Sequence, residues 1–163
     1  MLQVSPLTDV LKDKFAEMFE AYYKELGCDE DGRHIAEEYI IPDLLAGLLK
    51  IDILREDGEA AGFVIYQKDE KANDWNFKEG WGDVREIYVA RKFRGKGAGK
   101  FLLYTAEMKL KESGVERAYC LPNLAGESFF KACGYKKTEE YCADLDSFVF
   151  EKLDLNNCEC HKK

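Results

Sequence analysis

Residues 91–100, RKFRGKGAGK, hold five cationic side chains, three glycines and no acid. Glycine removes the side chain that would keep an anion off the backbone. Successive bared N–H groups form an anion-binding nest. The segment that follows is helical in pattern, and a helix start adds unpaired N–H groups and a partial positive charge. Arg91, Lys92, Arg94, Lys96 and Lys100 add a local positive field. The chemistry this combination suits is phosphate binding. The plainer reading is a basic, glycine-rich turn that only caps a helix. A nucleotide-hydrolase loop does not fit, because three residues rather than four separate Gly95 from the Gly99-Lys100 pair. Phe101 also stands where a magnesium-holding Ser or Thr is required. The dinucleotide pattern G-x-G-x-x-G fails too, ending on Lys100 from Gly95 and on Leu102 from Gly97.

The elements on either side must position this turn. The pattern predicts a strand over 83–90, DVREIYVA, from its β-branched and aromatic content. It predicts a helix over 97–112, ended by Ser113-Gly114. Upstream, Leu11, Phe15, Met18, Phe19 and Tyr22 recur at helical spacing, so 7–26 reads as a helix capped by Thr8 or Asp9 and stopped by Gly27. A second helical region, 34–49, reads as broken by Pro42 and Gly47. Strands are expected at 50–54 and 60–67, joined by a hairpin turn at Asp57-Gly58. Downstream come a buried strand at 115–122, a short helix at 126–133, and terminal strands at 135–140 and 147–155. This order predicts an α/β (α+β) fold with a mixed, mainly antiparallel sheet of six or seven strands and about four flanking helices. The strands at 83–90 and 115–121 are expected to run parallel and to diverge near Val89 and Leu121.

At 163 residues the chain is read as one domain, 1–155, with a tail at 156–163. No stretch is apolar enough to cross a membrane, and no export signal is read at the N-terminus. Reduced thiols and a cytoplasmic location follow as expectations. The tail holds Cys158, Cys160 and His161, but CxC at a chain end lacks metal-site spacing, and no metal is expected. The net charge of −8 argues against nucleic acid as a partner and favours a cationic one. A monomer or a homodimer is equally compatible with the sequence.

RGKGAG (94–99) resembles the Arg/Gln-x-x-Gly-x-Gly/Ala signature of the GCN5-related N-acetyltransferase (GNAT) superfamily, as Arg94-x-x-Gly97-x-Gly99. The strand before it, REIYVARKF, resembles that family's fourth strand. NLAGESFFKACGY (123–135) resembles its later motif through Asn123, Phe129, Gly134 and Tyr135, with Gly126 where alanine is usual. The resemblance implies acetyl-CoA as cosubstrate and an amine as acceptor. It implies that backbone amides of Arg94, Gly95, Lys96, Gly97, Ala98, Gly99 and Lys100 hold the pyrophosphate. The backbone of Ile87, Tyr88 and Val89 would pair with the pantetheine arm like an added strand. Asn123 would contact the arm from the far side.

Two catalytic positions carry open alternatives. Position 130 is often a tyrosine that protonates the leaving thiolate; here it is Phe130, read either as a ring packed on CoA or as a core aromatic. Tyr141 is kept as a candidate acid, with Tyr88, Tyr119 and Tyr135 behind it. Glu86 lies three residues before Val89 and by alternation shares a face with Tyr88. It is read either as the general base for the amine or as a surface carboxylate paired with Arg85 or a lysine. The leading expectation is an N-acetyltransferase acting on a primary amine of a small molecule or peptide. The alternative is an inert acyl-CoA-binding module on the same fold. The acceptor pocket is expected from 20–45, 68–82 and 136–150, with Tyr22, Tyr23, Trp75, Trp81 and Glu140 among its candidates.

Overall fold

The computed structural model describes residues 1–156, so Cys158, Cys160 and His161 lie outside the described residues. Seven strands form one mixed sheet in the order β1-β2-β3-β4-β5-β7-β6. They span Leu2–Pro6 (β1), Lys50–Glu56 (β2), Glu59–Lys68 (β3), Gly82–Val89 (β4), Ala118–Cys120 (β5), Lys136–Cys142 (β6) and Ser147–Lys152 (β7). Pairing is mostly antiparallel. The parallel pair is β4 with β5, through Gly82↔Ala118 and Asp83↔Tyr119. The helices are α1 (Lys12–Leu26), α2 (Gly32–Ile35), α3 (Ile41–Leu45), α4 (Ala98–Glu112) and α5 (Glu127–Ala132). By residue contacts the chain falls into two compact units.

The first unit is Met1–Ile65 with Glu86–Leu102. Its core is aromatic: Phe15 and Phe19 of α1 pack on Phe63 of β3 with ring centroids 5.1 and 5.7 Å away, and Tyr88 of β4 lies 5.6 Å from the same ring. Gly27 ends α1 in the left-handed region at φ 73°. Asp57 and Gly58, at φ 52° and 86°, make the tight turn that the β2–β3 hairpin requires. β3 and β4 approach very closely, since a Cβ at Gly62 would sit 2.2 Å from the Tyr88 carbonyl oxygen.

Two expectations are corrected here. No strand is expected before residue 7, yet Leu2–Pro6 pairs antiparallel with β2 from Leu2↔Glu56 to Pro6↔Asp52. Proline is tolerated at the end of an edge strand, where its missing N–H costs no ladder bond. Pro42 does not break the second helical region. A π-helical segment, Ala36–Ile40, joins α2 to α3 without interruption. Its wider turn, in which the Ile41 N–H reaches the Ala36 carbonyl, makes room for a proline ring that would clash in a regular helix.

The second unit is Tyr66–Arg85 with the chain from Leu103 on. Leu103, Ala106 and Leu110 of α4 are buried with Tyr119, Phe130, Tyr135, Val149 and Phe150. Asp69 is fully buried and organises the loop before β4. Its carboxylate accepts from Phe77 N–H and Lys78 N–H at 2.9 Å, from Tyr119 hydroxyl at 2.6 Å and from Gln67 Nε2 at 2.8 Å. With four donors on two oxygens this charge is well compensated, as a buried carboxylate must be. A second buried charge, Glu107 on α4, is paired with Lys152 of β7 at 3.0 Å and accepts from the Tyr135 hydroxyl at 2.9 Å.

Candidate functional site

The turn between β4 and α4 has the geometry that anion binding needs. Phe93 is buried and anchors it, while Gly95, Lys96 and Gly97 are exposed. Gly95 and Gly97 sit at φ 81° and 80°, where L-residues are strained. Nothing lies within 4 Å of where a Cβ would stand at either. The backbone is therefore open to an approaching group. The Phe101 N–H donates to the Gly97 carbonyl at 3.0 Å, so the helical ladder starts at this glycine. The amides just inside a helix start have no intrahelical acceptor and carry a partial positive charge. The Arg94 N–H is already committed to the Arg91 carbonyl at 3.2 Å, which leaves Gly95 to Lys100 as the amides for an anion.

The cations of the turn are not a bare positive field. Arg94 pairs with Glu25 at 2.7 Å, Arg91 with Glu25 at 3.5 Å and Lys96 with Glu56 at 3.3 Å, and Lys92 pairs with Glu59. Arg94 Nε also donates to the Val89 carbonyl at 2.6 Å, and its guanidinium stands over the Tyr88 ring at 5.6 Å. Arg94 is thus a strut between the turn, the end of β4 and the end of α1. Burial pushes the Glu25 carboxyl up, but Arg94, Arg91 and the Tyr88 hydroxyl outweigh it and hold it below the usual carboxylate range. A depressed carboxylate of this kind stabilises the fold above its unfolded value and loses that contribution only as pH falls through the lowered one. The strut therefore holds at neutral pH.

Beside the turn, α1 meets β4 face to face. The Tyr22 hydroxyl donates to Glu86, and the Tyr88 hydroxyl donates to Glu25 at 3.3 Å. Tyr22 and Glu25 are three apart on one helix face, and Glu86 and Tyr88 are two apart on one strand face. The expected alternation of Glu86 with Tyr88 is what is seen. Glu86 is half-buried. The Tyr88 carbonyl lies against Gly62 of β3, and the Ala90 N–H donates to the Ala61 carbonyl at 2.9 Å. Alternation then directs the amide groups of Ile87 and Val89 away from β3.

The remaining predicted residues have local partners in the second unit. Tyr141, half-exposed on β6, donates to Asp146 in the hairpin turn, a bond that with burial and the Asp146 charge raises its phenol. Asn123 Oδ1 accepts from the Gly126 N–H at 2.8 Å and caps the short turn before α5. Phe130 is only 6% exposed and packs edge-on against Phe129 and Tyr135 at 5.2 and 5.3 Å, a core aromatic in this structure. Tyr119 and Tyr135 are buried on Asp69 and Glu107, and burial pushes both phenols up. Glu140 pairs with Lys78 at 2.6 Å, and Lys78 and Arg117 stand over the Trp81 ring at 5.3 and 5.4 Å.

Sequence reasoning missed Glu25, whose partner Arg94 lies 69 positions away. Only its spacing from Tyr22 could have flagged it. Among the described residues no group of three or more His, Cys, Asp or Glu is placed to hold a metal ion, and no helix is long and apolar enough to cross a membrane.

Comparison with known proteins fits this arrangement. The model of the acetyltransferase (GNAT) family matches residues 12–135, most of the chain. A crystal structure of an acetyltransferase of the GNAT family from Staphylococcus aureus superposes with a TM-score of 0.75 at 14% identity, covering 95% of this chain and 99% of that one. The PaiA N-acetyltransferase of Thermoplasma acidophilum, solved in complex with coenzyme A, gives 0.71 at 17% identity over 94% and 99%. An uncharacterized N-acetyltransferase of Chlorobaculum tepidum is 40% identical over 58 residues, about a third of the length of each protein (36% of either). The chain belongs to the GNAT acetyltransferase family, and the expected fold class is the one observed.

Proposed function

We propose that this protein is an N-acetyltransferase that moves the acetyl group of acetyl-CoA to the primary amine of a small molecule or peptide by direct attack. The observation that carries the reading is the half-buried Glu86 on β4, on the strand that leads straight into the open glycine turn. In this reading the amides of Gly95 to Lys100 hold the pyrophosphate. Ile87 offers its outward amide groups, and Val89 its N–H, to the pantetheine arm. Acetyl-CoA supplies an activated acetyl thioester.

The chain's own task is then to deliver a neutral amine. Alkyl amines have a pKa near ~10.4, so at neutral pH nearly all are protonated and cannot attack. Glu86 takes that proton, directly or through a water, and the neutral nitrogen then adds to the carbonyl carbon. The carbon–sulfur bond then breaks, the thiolate leaves, and the excess proton on the attacking nitrogen passes to the thiolate or to solvent. A thiol pKa near ~8.5 makes this a good leaving group, so Phe130 in place of a proton donor is tolerable. The same Phe130 favours the second reading, a module that binds acyl-CoA without transfer.

The deciding experiment is acetyl-CoA turnover over a panel of primary alkylamines, followed by thiol release. Amine-dependent release supports the enzyme. Binding without amine-dependent release supports the module. The cofactor half of the reading makes its own prediction. At about 100 times its Kd, acetyl-CoA should stabilise the protein by ~2.7 kcal/mol, and adenosine without phosphates should not. Gly97→Val puts a branched side chain at a left-handed position and closes the backbone to phosphate. We expect a variant that folds, by circular dichroism, yet binds acetyl-CoA at least about tenfold more weakly by calorimetry. Unchanged affinity would remove the turn from the site.

A further inference from the structure

We infer that Tyr22 is a positioning residue for Glu86, holding its carboxylate in place and in the ionised form that accepts a proton. This rests on the reading of Glu86 as base. The geometry is specific. The Tyr22 hydroxyl donates to Glu86 Oε2 across 64 positions of sequence. The ring is fixed from several sides, with centroids of Phe19, Tyr23, Phe63 and Tyr88 at 5.9, 6.0, 5.8 and 5.7 Å. A hydroxyl on so constrained a ring has little freedom to turn elsewhere. It therefore limits the carboxylate that it holds to few rotamers.

The second consequence is electrostatic. Burial, then the charge and hydrogen bond of Glu86, push the Tyr22 phenol far above its ordinary value, so it stays protonated and a donor at every working pH. A hydrogen bond to the charged form of a carboxyl favours that form. The neighbouring groups act on the same pair. Tyr23 and Cys28 face Tyr22, and the Cys28 thiol is raised by burial and by Glu30, Glu86 and Asp29. Tyr88 shares the strand face, with its hydroxyl on Glu25 and Arg94 over its ring. Among these groups the Tyr22 hydroxyl is a donor aimed at the Glu86 carboxylate. The hydroxyl thereby keeps the base competent near neutrality and sets where activity fails on the acid side.

Tyr22→Phe removes the hydroxyl and keeps the packed ring. Two readouts follow. Carboxyl-¹³C NMR, with the Glu86 resonance assigned by its loss in Glu86→Gln, reads the carboxyl titration with no acceptor present. The acid limb of kcat/KM for acetyl-CoA with primary alkylamines reads it in turnover. In Tyr22→Phe both should move to higher pH by about one unit, a tenfold change in protonation equilibrium. The KM for acetyl-CoA should stay within about twofold. An unmoved carboxyl titration overturns the inference, as does a shifted titration with an unmoved acid limb. Full activity in Glu86→Gln instead removes the base reading and this inference with it. Glu86→Gln at background with Tyr22→Phe unshifted leaves Glu86 as base and overturns Tyr22 alone.

Discussion

Glu86→Gln should lower kcat/KM for amine acetylation at neutral pH by ~10²–10⁴-fold, the range of general-base effects. The change is nearly isosteric, and an amide oxygen still accepts from the Tyr22 hydroxyl, so packing of α1 on β4 survives. What is lost is the ability to take a proton. Acetyl-CoA affinity, measured in parallel, should not change, because the glycine turn does not involve this side chain. The pH dependence gives the sign. As pH rises toward the amine's own pKa of ~10.4, solvent deprotonates the acceptor and the need for a base fades. The gap between parent and variant should therefore narrow with rising pH. Turnover within about twofold of the parent at neutral pH would exclude Glu86 as base.

Lys152→Met should destabilise the protein by about 3–5 kcal/mol, the usual cost of removing one partner from a buried ion pair. Lys152 and Glu107 have side chains only 4% and 0% exposed. Lys152 Nζ bonds both Glu107 oxygens, at 3.2 and 3.0 Å, and the Cys133 carbonyl at 3.0 Å. In the variant the Tyr135 hydroxyl remains on Glu107 and the compensating charge is gone. For a chain of this size ~2–4 °C of Tm follow each kcal/mol, so the melting point should fall by roughly 6–20 °C. The double variant Glu107→Leu/Lys152→Met should recover most of that, because desolvation of the lone charge is the larger part of the penalty. A Tm within about 2 °C of the parent would show that the pair contributes nothing net.

What the sequence disclosed and what it hid divide along contact distance. Asp57-Gly58, Gly27 and the glycine turn are local devices, each set by backbone geometry that few residues other than glycine adopt, and each was legible. The helix of α4 and the strand of β4 followed from periodicity. Pro42 misled because its effect depends on whether the helix can widen, which no local pattern tells. β1 was hidden because an edge strand gains its order from a partner about fifty residues on. The site divides the same way. Glu86 was legible from its distance to the turn, whereas Tyr22 as its partner and Glu25 as the partner of Arg94 required α1 to be laid on β4. The five cations read as a field for phosphate, and only the fold reveals that acids meet four of them. In the proposed reading the backbone amides are consequently the stronger part of the phosphate site.

In the proposed function this chain joins an acetyl group to nitrogen. The most direct measurement gives the protein acetyl-CoA labelled with ¹³C at the acetyl carbonyl, together with a primary alkylamine, and follows the label by NMR. The thioester carbonyl signal should decay only with both protein and amine present, and an amide carbonyl signal should replace it in equal amount. A thioester signal that persists with every amine while acetyl-CoA is bound, or that gives way to free acetate alone, would contradict it.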